Sequence, residues 1–203
     1  MTTVLKITKE DFDVAIDAAV AVLKSGGLII YPTDTVYGIG ADATSEAAVK
    51  KVHELKGSDP TKPLSVLVGN FEIVEKYCET GIWEDMIIKN FLPGPYTFIL
   101  KKRSYIAASQ NEKIGIRLSE NLFCQYLAQK FGRPIITTSA NKTGDGPPVS
   151  FGDIDPKIID GADLAIDGGE TKYKGPSLII DLITHKMIRN GGAEIDLLEL
   201  PEP

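Results

Sequence analysis

Four places along the chain gather side chains able to do chemistry. The first is Pro32-Thr-Asp-Thr-Val-Tyr-Gly38, directly after an apolar run. The second is Lys56-Gly-Ser-Asp-Pro-Thr-Lys62-Pro-Leu64. The third is Arg117, at the end of Ile114-Gly-Ile-Arg. The fourth is Thr137-Thr-Ser139-Ala-Asn141, after Pro134-Ile-Ile. Together they suit an anionic ligand. Lys56 and Lys62 are mobile point charges for phosphate oxygens, and Arg117 offers a planar fork that matches a carboxylate. Threonine, serine and asparagine supply short, orientable hydrogen bonds. Taken singly, each place also has an ordinary structural explanation. Thr33-Asp-Thr35 can be a turn network on its own backbone, and Lys56 can complement a helix C-terminus. Arg117 can be a surface strand residue, and Ser139 and Asn141 can cap a turn.

The elements that would position these residues alternate between helix and strand. Thr8 is a candidate N-cap with acidic residues after it, and Val14, Ile16, Ala19, Val22 and Leu23 form an apolar helical face that Gly26-Gly27 ends. Leu28–Tyr31 reads as a short strand stopped by Pro32, and Thr33 to Gly40 as a Gly-rich loop. Helices are predicted over 45–56, 71–78, 83–91 and 121–131, the last closed by Gly132. Strands are predicted over 64–68, 96–100, 114–118, 134–137, 162–166, 177–182 and 187–189. Interleaving of this kind predicts an α/β or mixed α+β fold. Short connections, such as the one at Thr184-His185, point to a mixed sheet rather than a parallel one. With 203 residues and no linker-like stretch, a single domain over 1–203 is expected, with a core from about 8 to 195 and a fraying tail at 196–203.

Composition removes several classes of function. Net charge is −6, which argues against a general nucleic-acid coat while leaving room for a local basic cleft. Cys78 and Cys124 sit among apolar residues in helix-like segments and read as buried thiols. Neither Cys-x-x-Cys nor His-x-x-x-His spacing occurs, so no metal site is expected from the protein's own side chains. His53 and His185 stand alone and read as structural. The start of the chain lacks an apolar signal-like stretch and no run is long enough to span a membrane, so a cytoplasmic protein is expected. Gly38-Ile-Gly-Ala-Asp-Ala43 formally fits a dinucleotide fingerprint, but five residues separate Pro32 from Gly38, whereas that fingerprint needs its first glycine directly after the strand. A nicotinamide-dependent oxidoreductase is therefore disfavoured, and no P-loop pattern is present. The reading from another class is an RNA-binding module whose basic cavity holds tRNA or double-stranded RNA phosphates.

Nine ordered segments resemble the YrdC-like threonylcarbamoyl-AMP synthases. They are Gly26 to Gly38, Glu54-Leu-Lys56, Lys62-Pro-Leu64, Leu92 to Phe98, Ile114 to Arg117, Thr138 to Asn141, Asp167-Gly-Gly169, Gly175-Pro-Ser177 and Ile188 to Gly191. The resemblance implies a twisted mixed sheet around a deep basic cavity, in the short form without an added C-terminal domain. It implies a reaction joining L-threonine, bicarbonate (or CO2) and ATP into threonylcarbamoyl-AMP and pyrophosphate. That product would feed N6-threonylcarbamoylation of adenosine 37 in tRNAs reading ANN codons, through a downstream threonylcarbamoyl transferase complex. By motif position, Thr35, Arg117, Thr137 and Ser177 would hold threonine. Lys56, Ser58, Lys62, Ser139, Asn141 and Arg189 would line the ATP side, with Lys56, Ser139 and Asn141 closest to the chemistry. Mg2+ would be held mainly by the ATP phosphates. Ser58 departs from the family's usual Lys-x-Arg; Arg189, Lys113 and Lys172 are the candidates to replace the missing charge. Pro93-Gly-Pro-Tyr-Thr-Phe-Ile-Leu100 is also similar to the YciO branch.

Overall fold

The computed structural model describes residues 2–192; the expected tail at 196–203, and the last three residues of the expected core, lie outside them. Strand β1 (Thr3–Lys6) leads into helix α1 (Phe12–Lys24), then strands β2 (Ile29–Tyr31) and β3 (Gly38–Gly40), helix α2 (Glu46–Lys56) and strand β4 (Val66–Leu67). Helix α3 (Phe71–Tyr77), strand β5 (Cys78–Glu79) and helix α4 (Ile82–Phe91) precede strands β6 (Tyr96–Lys102) and β7 (Lys113–Arg117). Helix α5 (Leu122–Phe131) is followed by β8 (Ile135–Ile136), β9 (Thr138–Ser139), α6 (Pro156–Asp160), β10 (Leu164–Asp167), β11 (Leu178–Asp181) and β12 (Lys186–Arg189).

The mixed α/β class is as expected, but the strands divide between two sheets. One is five-stranded in the order β1-β10-β2-β3-β9; the other is seven-stranded, with β12-β11-β6-β7-β4-β8 in line and β5 on β6. Both mix parallel and antiparallel pairs: β10 runs parallel to β1 and β2, while β3 is antiparallel to β2 and β9. The segment from Ile135 to Ser139 belongs to both sheets in turn. Its first half pairs with β4 and its second half with β3, so Thr137 stands at the seam between them.

Alternation along β2 shows why that strand is apolar throughout. Ile30 enters a cluster with Ile39, Val66, Phe98 and Ile116 from both sheets, whereas Ile29 and Tyr31 face α1 and α5 on the opposite side. Helices α1 and α5 pack there through Ile16, Ala19, Leu23, Phe123, Leu127 and Phe131. Local chemistry fixes the helix ends that matter for function. Ser45 caps α2 by accepting from Ala48 N, and Gly57 ends it at φ +60°, a left-handed turn that glycine takes without strain. Asn121 and Gly132 do the same for α5. Thr8 does not cap α1 as expected. It bonds Asp11 instead, and Asp11 is the N-cap. Gly38-Ile-Gly40, expected as loop, is a strand bonded on both sides.

Candidate active site

The ends of both sheets open on a cavity of about 690 Å³. The β2–β3 turn, the α2–β4 loop, β6, β7, the Thr137–Asn141 segment and the β11–β12 hairpin all contribute to its wall. Nine of the ten residues singled out from the sequence line it: Lys56, Ser58, Lys62, Arg117, Thr137, Ser139, Asn141, Ser177 and Arg189.

Thr35 does not reach that wall. It is fully buried, and its carbonyl accepts from Thr171 Oγ1 at 2.7 Å. Thr33 Oγ1 accepts from the backbone N–H groups of Thr35 and Val36 and donates to the Val36 carbonyl, so the Thr35 hydroxyl is the donor in the 3.0 Å contact between the two threonines. The turn network anticipated for Thr-Asp-Thr therefore forms, and it turns Thr35 inward while placing Thr33 on the lining.

That same turn aims Asp34 at Arg117. The two form a buried ion pair, with Asp34 2% and Arg117 5% exposed. Ser119 Oγ donates to the same Asp34 oxygen at 2.7 Å. Asp34 Oδ2 and Arg117 Nε have no protein hydrogen-bond partner. Arg117 is thus held by one carboxylate oxygen, and the same residue lines the cavity. Its neighbour Gly115 is dictated by close approach, because a Cβ there would stand 2.5 Å from Ser65 Oγ, another lining residue.

Lys56, also on the lining, projects from the last turn of α2. Its Nζ donates to the carbonyls of Ser139 and, at 2.7 Å, Asn141; its own carbonyl accepts from Thr143 N at 3.0 Å. Burial pulls its pKa down to about 8, and the nearby Lys62 charge pushes the same way. Lys62 is exposed at the rim. Asn141 Nδ2 donates to the carbonyls of Lys142 and Asp145. Arg189 is also on the lining, and its guanidinium donates to the Ser177 carbonyl at 2.9 and 3.1 Å and to Ser177 Oγ at 3.0 Å. Burial, and secondarily the Arg117 charge, lower its pKa. Ser177 Oγ also contacts Thr97 Oγ1 at 2.8 Å. Of the candidates to replace the missing family arginine, only Arg189 is on the lining. Lys113 and Lys172 are paired with Asp181 and Glu120 elsewhere.

Among the lining residues, Thr33 stood in the first place named from sequence but was given no ligand role, and Ser65 and Thr97 were not singled out. Thr97 lay in view within Pro95-Tyr-Thr-Phe98, but nothing in its type separated it from a β-prone core residue. Asp34 lay in view as well, yet its partner is 83 positions away. Both cysteines are buried free thiols, with burial raising each pKa to about 12. Among the described residues no cluster of three or more His, Cys, Asp or Glu could hold a metal ion, and no helix is long and apolar enough to cross a membrane.

A family model described as "Telomere recombination", covering Sua5, YciO and YrdC proteins, matches residues 21–191. The chain belongs to the Sua5/YciO/YrdC family. A Methanocaldococcus jannaschii protein with a provisional threonylcarbamoyl-AMP synthase name is 39% identical over 81% of this chain and 78% of its own. Proteins named threonylcarbamoyl-AMP synthase from Bos taurus and Klebsiella pneumoniae are 35% and 31% identical, covering 83% and 87% of this chain. The match spans 63% of the bovine protein and 96% of the bacterial one. Among solved structures, Pyrococcus abyssi Sua5 complexed with L-threonine superposes with a TM-score of 0.86 at 29% identity, over 98% of this chain and 60% of that one. Escherichia coli YciO gives 0.83 at 25% identity, over 97% and 99%. The fold is therefore shared with both the Sua5 and YciO branches of the family.

Proposed function

We propose that this chain is a threonylcarbamoyl-AMP synthase, joining L-threonine, bicarbonate or CO2, and ATP with release of pyrophosphate. The observation that carries the reading is one cavity with two kinds of cation. A fork fixed by Asp34 suits the threonine carboxylate, and Lys56 with Lys62 suits phosphates. The names of its relatives, and the threonine bound in P. abyssi Sua5, support the same substrates.

In this reading Arg117 takes the threonine carboxylate, with Thr137 and Ser177 beside it. Lys56, Ser58, Lys62, Ser139, Asn141 and Arg189 face the nucleotide. The threonine amine attacks the carbon of CO2, or of bicarbonate; an N–C bond forms as a C–O π bond opens and the amine proton passes to solvent, or as water leaves from bicarbonate, giving a carbamate anion. A carbamate oxygen attacks the α-phosphorus of ATP, a new P–O bond forms, and the bond to the β-phosphate oxygen breaks as pyrophosphate leaves. The attacking oxygen is already negative, so no strong general base is demanded, and positioning with charge stabilisation can carry the step. Asp145 is the one carboxylate among the described lining residues. The wall therefore fits a Mg2+ carried on phosphate oxygens rather than in a protein cage. Bound there, the ion would neutralise phosphate charge. A cytoplasmic location, and use of the product by a downstream transferase acting on tRNA, complete the proposal.

A pyrophosphate-release assay with Mg2+ tests it. Release is expected only when ATP, L-threonine and bicarbonate are all present. Salt-sensitive tRNA binding with no pyrophosphate release under any combination would overturn it in favour of the RNA-binding reading.

A further inference from the structure

His53 lies one turn before Lys56 on α2 and is 4% exposed, and the reaction scheme above gives it no part. Its Nδ1 stands 2.8 Å from Ser58 Oγ, and its carbonyl accepts from Ser58 N at 3.0 Å. The left-handed turn at Gly57 folds the chain back so that both bonds can form. Ser58 is thereby tethered twice to one buried residue while it lines the cavity with Lys56 and Lys62. Burial holds the His53 pKa below its ordinary value, with the Asp59 charge opposing. A neutral ring carries its proton on one nitrogen only. If Nδ1–H donates to Ser58 Oγ, the serine keeps its own proton to offer. If Nδ1 accepts, that proton is used up and only lone pairs face the cavity. A phosphate oxygen accepts and cannot donate, so an anion in the cavity selects the first arrangement.

We propose that His53 is a positioning residue for the phosphate end of the cavity: its bond to Ser58 Oγ presents the serine hydroxyl as a donor to a phosphate oxygen of the nucleotide, alongside the Lys56 and Lys62 ammonium groups. This rests on the reading of the cavity as a nucleotide site. A serine hydroxyl is a weak anion contact when it is free to rotate; a fixed one has already lost that freedom before the ligand arrives.

Calorimetric titration of MgATP into the full chain tests it without requiring turnover. Ser58→Ala and His53→Leu are each expected to weaken MgATP binding by about 10- to 100-fold, the range of one hydrogen bond to a charged group. The double variant should be no worse than Ser58→Ala alone, because both changes remove one unit. His53→Asn, whose amide N–H can stand where Nδ1 does, should bind within about twofold of the unaltered protein, well under one such bond. L-threonine affinity should hold within about twofold in all of them, a change smaller than one hydrogen bond. If His53→Leu folds poorly, His53→Gln replaces it with the same expected loss, since its amide lies beyond the Nδ1 position. Unaltered MgATP affinity in the His53 variant, or losses that multiply in the double variant, would overturn the inference. If the unaltered protein does not bind MgATP, the nucleotide reading itself fails.

Discussion

The two ends proposed for the cavity hold their cations in different ways. At one end Arg117 is fixed by a buried carboxylate that belongs to the wall behind it, supported by Ser119. At the other, Lys56 leans on two neutral carbonyls and Lys62 extends from an exposed loop. The difference matches what each end would meet. A carboxylate has one planar shape, and a pre-set fork binds it with little ordering left to do. A polyphosphate with its metal ion changes shape and charge during reaction, and Lys62 on its exposed stem can follow it while Lys56 stays on its two carbonyls. Arg189 lies near Arg117 and grips Ser177, so its contacts are with the fixed end.

The largest effect is expected from breaking the fixed end. Arg117→Ala should lower stability to urea by about 3–5 kcal/mol, because Asp34 is left buried and unpaired. Asp34→Asn combined with Arg117→Met should recover part of that loss while still failing to bind threonine. At the phosphate end, Lys56→Ala should slow pyrophosphate release at saturating threonine by about 10- to 100-fold, with a smaller change in stability. An unchanged rate would remove Lys56 from the phosphate role.

A pH series sharpens the contrast further. With its pKa held near 8 against 10.5 for a free lysine, Lys56 binds fewer protons in the folded than in the unfolded chain between those values. Its contribution to stability therefore grows as pH rises through that window and is lost as pH falls through the folded value. Phosphate prefers the ammonium, so ATP affinity should run the other way. It should be level below pH 8 and fall by at most about tenfold per pH unit above it, a slope that Lys56→Met abolishes. The smallest effects belong to Lys113→Ala and Lys172→Ala, which should leave ATP binding within about twofold. Each already has an acidic partner away from the cavity.

What the sequence made legible was local. The bounds 45–56 and 121–131 were legible for α2 and α5, whose caps Ser45, Gly57, Asn121 and Gly132 act over three or four residues. Strand β1 was missed. Four residues that pair with β10 some 160 positions later carry no local signal. Strand β3 was missed because Gly38-Ile-Gly40 has turn-like composition, and only pairing with β2 and β9 makes it a strand. The division into two sheets turns on Thr137, whose place at the seam no periodicity reveals. At the site, residue types and motif order pointed to nine lining positions. What stayed hidden were the relations between them: Asp34 behind Arg117, Ser177 under Arg189, and His53, read as merely structural, against Ser58.

The most direct measurement is a pair of calorimetric titrations, L-threonine and MgATP, on Arg117→Lys. Lysine keeps a positive charge beside Asp34 but removes the fork. Threonine affinity is expected to fall by about tenfold or more, the worth of one charge-assisted hydrogen bond, while MgATP affinity stays within about threefold. Equal losses for both ligands, or a threonine affinity that does not change, would contradict a cavity with a fixed carboxylate end and a separate phosphate end.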